Sequence, residues 1–144
     1  RENINNCLLY RYIISYEPRH FKGRLAEFPA TLAYGRSVDA LRRRYRAYLW
    51  DAEFRDTVGA AVTVDGRPHG PYTVFRQPDT GKLAVAVANM RADAPITVQV
   101  EAGTGAEPGA GRAWLLASPD EPAAREHCGP LAVPPRSVAV LMEP

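Results

Sequence analysis

The sequence predicts an α+β protein, in which N-terminal helices are followed by a small antiparallel β-sandwich. Composition changes near Thr57: six of the seven Tyr precede it, whereas eleven of the thirteen Pro and nine of the eleven Gly follow it. Apolar residues recur at helical spacing in residues 38–49, and short segments punctuated by turns fill residues 60–142. We therefore divide the 144 residues into a helical part, 1–57, and a sandwich, 58–144.

Composition and charge exclude several classes of protein. Apolar residues make up 46% of the chain and charged residues 24%, which is typical of a folded globular protein. No apolar run reaches the ~18 residues of a membrane helix, so no membrane partner is expected. A net charge of +2 is too small to indicate nucleic acid as a partner, and two cysteines cannot form a disulfide scaffold.

The beginning of the chain has the character of an internal stretch of a longer protein. Arg1 stands first instead of Met, and no basic segment followed by an apolar core indicates a signal peptide. We expect the C-terminal region of a longer polypeptide, for which these residues predict no cellular location.

Residues 2–16 combine two patterns. Ile4, Cys7 and Leu8 fit a helix, whereas alternating residues fit a strand; these are Tyr10, Tyr12, Ile14 and Tyr16. We expect a helix that becomes extended near Ser15, because the Glu17–Pro18 pair disfavours helical geometry at Glu17. Residues 17–36 are then expected to form a long connection.

A second helix is predicted from Val38 to Phe54. Ser37 is a suitable N-cap, and Asp39 lies in the first turn, where the helix dipole favours a carboxylate. One apolar face recurs at three- and four-residue spacing and consists of Val38, Leu41, Tyr45, Tyr48 and Leu49. Arg42, Arg43, Arg44 and Arg46 are expected mostly on the exposed faces.

The second part of the chain predicts about seven short strands. Turn residues such as Asp65–Gly66 and Ala94–Pro95 separate them. The predicted strands are Ala60–Val64, Tyr72–Arg76, Lys82–Asn89, Ile96–Glu101, Arg112–Leu116, Leu131–Val133 and Ser137–Met142. Their length and spacing favour an antiparallel sandwich.

The loop Tyr16–Gly23 is the candidate site with the most chemistry. It combines aromatic, carboxylate, imidazole and cationic side chains, which suits a carbohydrate cleft; the substrate-binding candidates are Tyr16, Glu17, His20 and Lys22. A solvated loop with a local Glu17–Arg19 contact is the alternative. Catalytic residues are not identified, since glycoside hydrolysis needs two carboxylates and only Glu17 is an attractive candidate.

Other motifs predict little chemistry. The glycine-rich stretch Gly103–Gly111 precedes a predicted strand and no helix, which favours a hairpin tip over a phosphate loop. His127 and Cys128 are adjacent and lack the spacing of a chelating pair, so no metal is expected. No cofactor is expected either.

Two stretches resemble known proteins. LLYRYIISYEPRHFKGRLAEFPATLAYGRSVDALRRRYRAYLWDAEFRDT, Leu8 to Thr57, resembles the end of the catalytic region in uncharacterised bacterial glycoside-hydrolase-like proteins. YTVFRQPDTGKLAVAVAN and LAVPPRSVAVLMEP resemble the C-terminal β-sandwich of many glycoside hydrolases with a (β/α)8 barrel. The resemblance implies that residues 1–57 end such a TIM-type barrel, that the substrate is a carbohydrate and that the barrel precedes this chain.

The predicted function is therefore that of the C-terminal fragment of a glycoside-hydrolase-like enzyme, inactive by itself. Its sandwich would support the barrel, and a full barrel needs ~250 residues. The alternatives are a stand-alone carbohydrate-binding module and a structural interaction module. In the barrel interpretation, the helices of the isolated chain would expose their apolar faces and promote dimerisation or aggregation.

Overall fold

A computed structural model describes residues 1–16, 23–103 and 113–144. The helices in these residues are α1 (Glu2–Leu9), α2 (Pro29–Arg44) and α3 (Arg46–Leu49), with a 3-10 helix at Leu25–Glu27. The strands are β1 (Glu53–Phe54), β2 (Ala60–Val64), β3 (Arg67–Pro68), β4 (Tyr72–Arg76), β5 (Leu83–Asn89), β6 (Ile96–Ala102), β7 (Trp114–Ala117), β8 (Arg125–His127), β9 (Leu131–Val133) and β10 (Ser137–Met142).

The strands form two antiparallel sheets. One sheet has six strands in the order β1-β4-β5-β10-β7-β8, and the other has four in the order β3-β2-β6-β9. At the centre of the larger sheet, β10 pairs with β5 from Ser137 opposite Asn89 to Met142 opposite Ala84. The two sheets stack as a β-sandwich, which confirms the predicted α+β class with a small antiparallel sandwich.

The six-stranded sheet is the middle layer of three, because side chains alternate between its two faces. On β5, Ala84, Ala86 and Ala88 lie in one apolar cluster with the helices, whereas Val85 and Val87 lie in another with the four-stranded sheet. All six residues of β10 are buried for the same reason. Small alanines on the helix side allow the helices to approach the sheet closely.

The apolar faces of the helices cover this sheet. Buried helical side chains are Ile4, Leu8 and Leu9 from α1, with Tyr34, Val38 and Leu41 from α2. Burying each leucine stabilises the fold by roughly 1.5–3 kcal/mol. The expectation that the isolated chain would expose these helix faces is therefore wrong, because its own six-stranded sheet covers them.

The predicted boundaries of the second helix are wrong at both ends. Helix α2 begins at Pro29, a residue favoured in the first turn, so residues 29–36 are helical and do not belong to a long connection. Ser37 lies inside this helix, where its hydroxyl donates to the Ala33 carbonyl at 3.2 Å. The helical run ends at Leu49, and Phe54 belongs to strand β1.

Helix α1 also ends earlier than predicted. It stops at Leu9, and Arg11 adopts a left-handed conformation with φ +56°, which turns the chain away from the helix axis. Residues 12–16 follow without a strand partner; we name them the connecting segment.

The sandwich agrees closely with its prediction. Four predicted strands have the observed bounds, namely Ala60–Val64, Tyr72–Arg76, Leu131–Val133 and Ser137–Met142. The strand predicted as Arg112–Leu116 is observed as Trp114–Ala117, since Ala113 is not in a strand and pairing continues one residue further. Residues 104–112, which include Arg112 and most of the predicted Gly103–Gly111 hairpin tip, lie outside the described residues. The sequence did not predict β1, β3 and β8, which have only two or three residues each.

Candidate functional site

A groove of about 530 Å³ lies on the outer side of the helices. The connecting segment forms one wall with Ile13, Ile14 and Tyr16. Helices α2 and α3 and the residue after them form the other wall, which consists of Gly35, Arg36, Asp39, Arg42, Arg43, Arg46 and Trp50. We call this site the helix groove; its volume falls in the range of roughly 300–1,000 Å³ that is usual for small-molecule sites.

Helical periodicity explains why so many charged residues meet in the groove. Arg36, Asp39, Arg43 and Arg46 are spaced by three or four residues and therefore lie along one face. The buried residues Tyr34, Val38 and Leu41 occupy the opposite side and belong to the apolar cluster between the helices and the six-stranded sheet. The same helical run thus has one face in the core and one that lines the groove.

Gly35 sets the position of Tyr16. A Cβ atom at Gly35 would lie 1.6 Å from the phenol oxygen of Tyr16, so the phenol packs directly against the helix backbone. Glycine in a helix interior costs about 1 kcal/mol relative to alanine. The close approach of Tyr16 requires a residue without a side chain here, and it places an aromatic ring in the groove wall.

Arg42 joins the two walls. Its side chain is only 6% exposed, and its Nη2 donates hydrogen bonds to the carbonyl oxygens of Cys7 and of Tyr12, the latter at 2.9 Å. Cys7 lies in the last turn of α1, where carbonyl groups have no partner within the helix. Arg42 thereby ties the end of α1 and the connecting segment to α2.

The guanidinium of Arg42 is also desolvated. It lies over the ring of Trp50, 5.6 Å from the ring centroid, and its Nε is buried without a hydrogen-bond partner among the described residues. Burial lowers the pKa of Arg42, and interactions with Cys7 and Asp39 offset part of this effect. A buried guanidinium with an unused donor is an unusual feature in a groove wall.

The other arginines differ in how far their charge is compensated. Arg43 pairs with Asp39 at 2.8 Å, and Arg46 pairs with Asp51 at 2.9 Å. Arg36 is exposed and forms no hydrogen bond or ion pair with the described parts of the chain. Among the described residues that line the groove, four guanidinium groups stand against the single carboxylate of Asp39, so this lining carries a net positive charge.

Apolar and aromatic side chains complete the site. Ile13 is 83% exposed and Trp50 is 39% exposed, which is unusual for residues of their size. With Tyr16, they place aromatic and aliphatic surface beside the arginines. The groove can therefore contact a flat, partly apolar ligand and donate hydrogen bonds to it.

Of the predicted site residues, Tyr16 lines the helix groove. Glu17, His20 and Lys22 lie outside the described residues. Sequence reasoning missed Arg42, because the run Arg42–Arg46 was expected mostly on exposed faces, and it missed Arg36, because residues 17–36 were expected to form a connection. It did not single out Trp50. The spacing of Arg36, Asp39, Arg43 and Arg46 was the available signal.

Two buried polar groups outside the groove have structural roles. The Tyr34 hydroxyl donates to Asn5 Oδ1 at 2.6 Å between α2 and α1, and burial raises the pKa of Tyr34 to about 12. Glu143 accepts a hydrogen bond from the backbone N–H of Leu83 at 2.9 Å and extends the pairing of β10 with β5. Neither group opens into the helix groove.

The described ranges contain no helix that is long and apolar enough to cross a membrane. Within them, no three His, Cys, Asp or Glu side chains come together as metal ligands do. Comparison of the chain with protein-family models, with curated proteins and with solved structures found no match.

Proposed function

We propose that the chain is the C-terminal region of a carbohydrate-active, glycoside-hydrolase-like protein, and that its helix groove binds a saccharide. The observation that carries the proposal is the groove itself, where Tyr16 and Trp50 lie beside the arginines and Asp39. Sugar rings have apolar faces that pack on aromatic side chains and hydroxyl groups that accept and donate hydrogen bonds, so they suit such a surface.

The proposed role is binding and support, with bond cleavage assigned to another part of the protein. Among the groove residues that the structure describes, Asp39 is the single carboxylate, and it pairs with Arg43. Glycoside hydrolysis requires two carboxylates on either side of the scissile bond. A TIM-type barrel preceding residue 1 would supply them, and the present chain would support that barrel.

A binding experiment tests this proposal. The chain is titrated with neutral and charged oligosaccharides by isothermal calorimetry, alongside the variants Trp50→Ala and Phe28→Ala. Phe28 is a matched control, since it is an exposed aromatic residue that does not line the groove. We expect Trp50→Ala to weaken binding and Phe28→Ala to leave it unchanged; equal affinities for all three proteins would refute the proposal.

A structural interaction module is a second candidate, favoured by the exposure of Ile13. An exposed aliphatic side chain beside the exposed Trp50 is typical of a surface that contacts another protein domain. In that case the chain would self-associate through the same surface. Sedimentation of the wild type and of Ile13→Ser separates the candidates, because only the interaction module predicts a dimer that the substitution dissociates.

A further inference from the structure

We propose that the ligand of the helix groove is an anionic saccharide, whose carboxylate or sulfate group is bound by the groove arginines, first of all Arg36 and Arg42. The inference rests on the proposed function and narrows it from saccharides in general to charged ones. Three features of the groove support it. They are its net positive charge, the buried guanidinium of Arg42 with its unpartnered Nε, and the aromatic residues beside the arginines.

The charge of the groove is not balanced by its own residues. Asp39 compensates Arg43 and Asp51 compensates Arg46, with nitrogen–oxygen distances of 2.8 and 2.9 Å. Arg36 and Arg42 have no carboxylate partner in the described ranges. A concave surface whose described guanidinium groups outnumber its carboxylates attracts anions, because its walls keep part of the field from being screened by water.

Arg42 gives the strongest sign that the groove binds an anion. The side chain is more than nine-tenths buried, it lines the groove, and its Nε has no hydrogen-bond partner in the described parts of the chain. A buried charge is costly unless it is paired, and its hydrogen-bond donors are normally satisfied. The backbone carbonyls of Cys7 and Tyr12 use Nη2 alone. An oxyanion in the groove would provide a counter-charge for this guanidinium.

The geometry of the side chains suits carboxylate and sulfate groups. Guanidinium presents planar donors that bind two oxygens of an oxyanion at once. The two carbonyl bonds hold Arg42 in place, so the donor set is preorganised and loses little freedom when a ligand binds.

The rest of the groove favours a sugar over a phosphate-rich polymer. Tyr16, Trp50 and Ile14 supply flat apolar surface next to the arginines. The whole chain has a net charge of only +2, which suits a ligand with few charges better than a polyanion. A uronate or a sulfated sugar combines the apolar ring face with one or two oxyanions.

The test compares three trisaccharides by isothermal calorimetry: a trigalacturonate, its neutral methyl ester and a sulfated trisaccharide. Before calorimetry, a glycan array of neutral and acidic sugars is screened. The array shows which class of glycan binds, so the conclusion does not depend on these three trisaccharides alone. We expect acidic glycans to dominate the array and the preferred charged trisaccharide to bind about ten-fold tighter than the neutral one, as charge-assisted hydrogen bonds predict. The affinities for the trigalacturonate and for the sulfated trisaccharide are compared to show whether the groove prefers a carboxylate or a sulfate group.

Two arginine variants test whether the preference for charged sugars arises in the helix groove. Arg36→Gln is expected to abolish most of the preference for the charged sugar, because it removes one of the two guanidinium groups proposed to bind the oxyanion. Arg44→Gln is the matched control, since Arg44 is also exposed on α2 but does not line the groove. Thermal melts confirm that both variants are folded, and both avoid the buried Arg42, whose replacement could unfold the protein.

The outcomes separate the two proposals. Equal affinity for charged and neutral sugars, or an unchanged preference in Arg36→Gln, overturns the anionic ligand and leaves saccharide binding intact. The absence of any bound glycan on the array and in calorimetry overturns the proposed function and this inference with it.

Discussion

At the scale of residues, Gly35 and Tyr16 depend on each other. Neither is explained by its neighbours in sequence: the glycine weakens α2, and the tyrosine belongs to a segment without strand pairing. They are explained by their contact, since a Cβ at Gly35 would meet the Tyr16 phenol at 1.6 Å. The loss of helix stability at Gly35 thus allows an aromatic ring to lie in the groove.

This dependence predicts a double-mutant cycle. In a Tyr16→Ala background, Gly35→Ala should raise the free energy of unfolding by about 1 kcal/mol, the difference in helix propensity. In the wild type the same substitution should give no such gain, because the phenol must be displaced. Urea unfolding of the four proteins measures the coupling, and equal effects in both backgrounds would show that the two residues are independent.

Arg42 predicts a second effect on stability. Arg42→Ala removes two hydrogen bonds from a charged donor and releases the end of α1, so it should lower the free energy of unfolding by roughly 2–4 kcal/mol. Arg43→Ala is the control on the same helix and breaks only an exposed ion pair with Asp39, at a cost of about 0.5 kcal/mol. Chemical denaturation compares them, and similar losses would contradict the role of Arg42.

Tyr34 predicts a dependence on alkaline pH. Its pKa is about 12 in the folded protein and 10.0 when unperturbed, because burial disfavours the phenolate. The folded state therefore keeps the proton more firmly, and the stability this provides is complete below pH 10 and lost as the pH rises through 12. Unfolding midpoints should fall more steeply between these pH values in the wild type than in Tyr34→Phe; parallel curves would exclude Tyr34 as the cause.

At the scale of elements, the strands were more predictable than the helices. Turn residues bound β2 and β4 on both sides, and in β6 apolar residues alternate with polar ones, so local chemistry defines them. The start of α2 was missed because Pro29 and Gly35 are frequent in loops. Gly35 is helical on account of Tyr16, a contact that no local pattern contains.

The very short strands and the groove both depend on contacts between residues that are distant in sequence, which local patterns do not show. β1, β3 and β8 are strands because longer partners pair with them, as Glu53 does with Arg76. The arginines of α2 follow a helical spacing that the sequence displays. Their function as a groove wall depends on the connecting segment opposite, whose position is set by Arg42 and Gly35.

The close approach of α1 to β5 predicts that Ala86 tolerates no larger side chain. Ala86→Leu would overpack the cluster that contains Leu8 and Leu9, and should lower the free energy of unfolding by roughly 1–3 kcal/mol. Thr97→Val, at an exposed position of β6, is the control and should change it by less than about 0.5 kcal/mol. Equal effects in denaturant unfolding would show that the helix layer does not pack tightly on the sheet.

At the scale of the whole molecule, the central sheet serves two cores. One face packs on the helices and the other on the four-stranded sheet, so each outer layer depends on the same six strands. The N-terminus is tied to the sandwich as well, since Arg1 pairs with Asp120 at 3.0 Å. The helix groove lies on the outer side of the helices. These helices pack on the six-stranded sheet, whose other face packs on the four-stranded sheet.

Whether the helix groove binds a saccharide can be determined by an NMR titration. Backbone and side-chain signals of the chain are recorded while the best-binding oligosaccharide is added. We expect the signals of five groove residues to shift and those of the sandwich to stay unchanged; the five are Ile13, Tyr16, Arg36, Arg42 and Trp50. Shifts confined to the sandwich, or no shifts at saturating sugar, would contradict it.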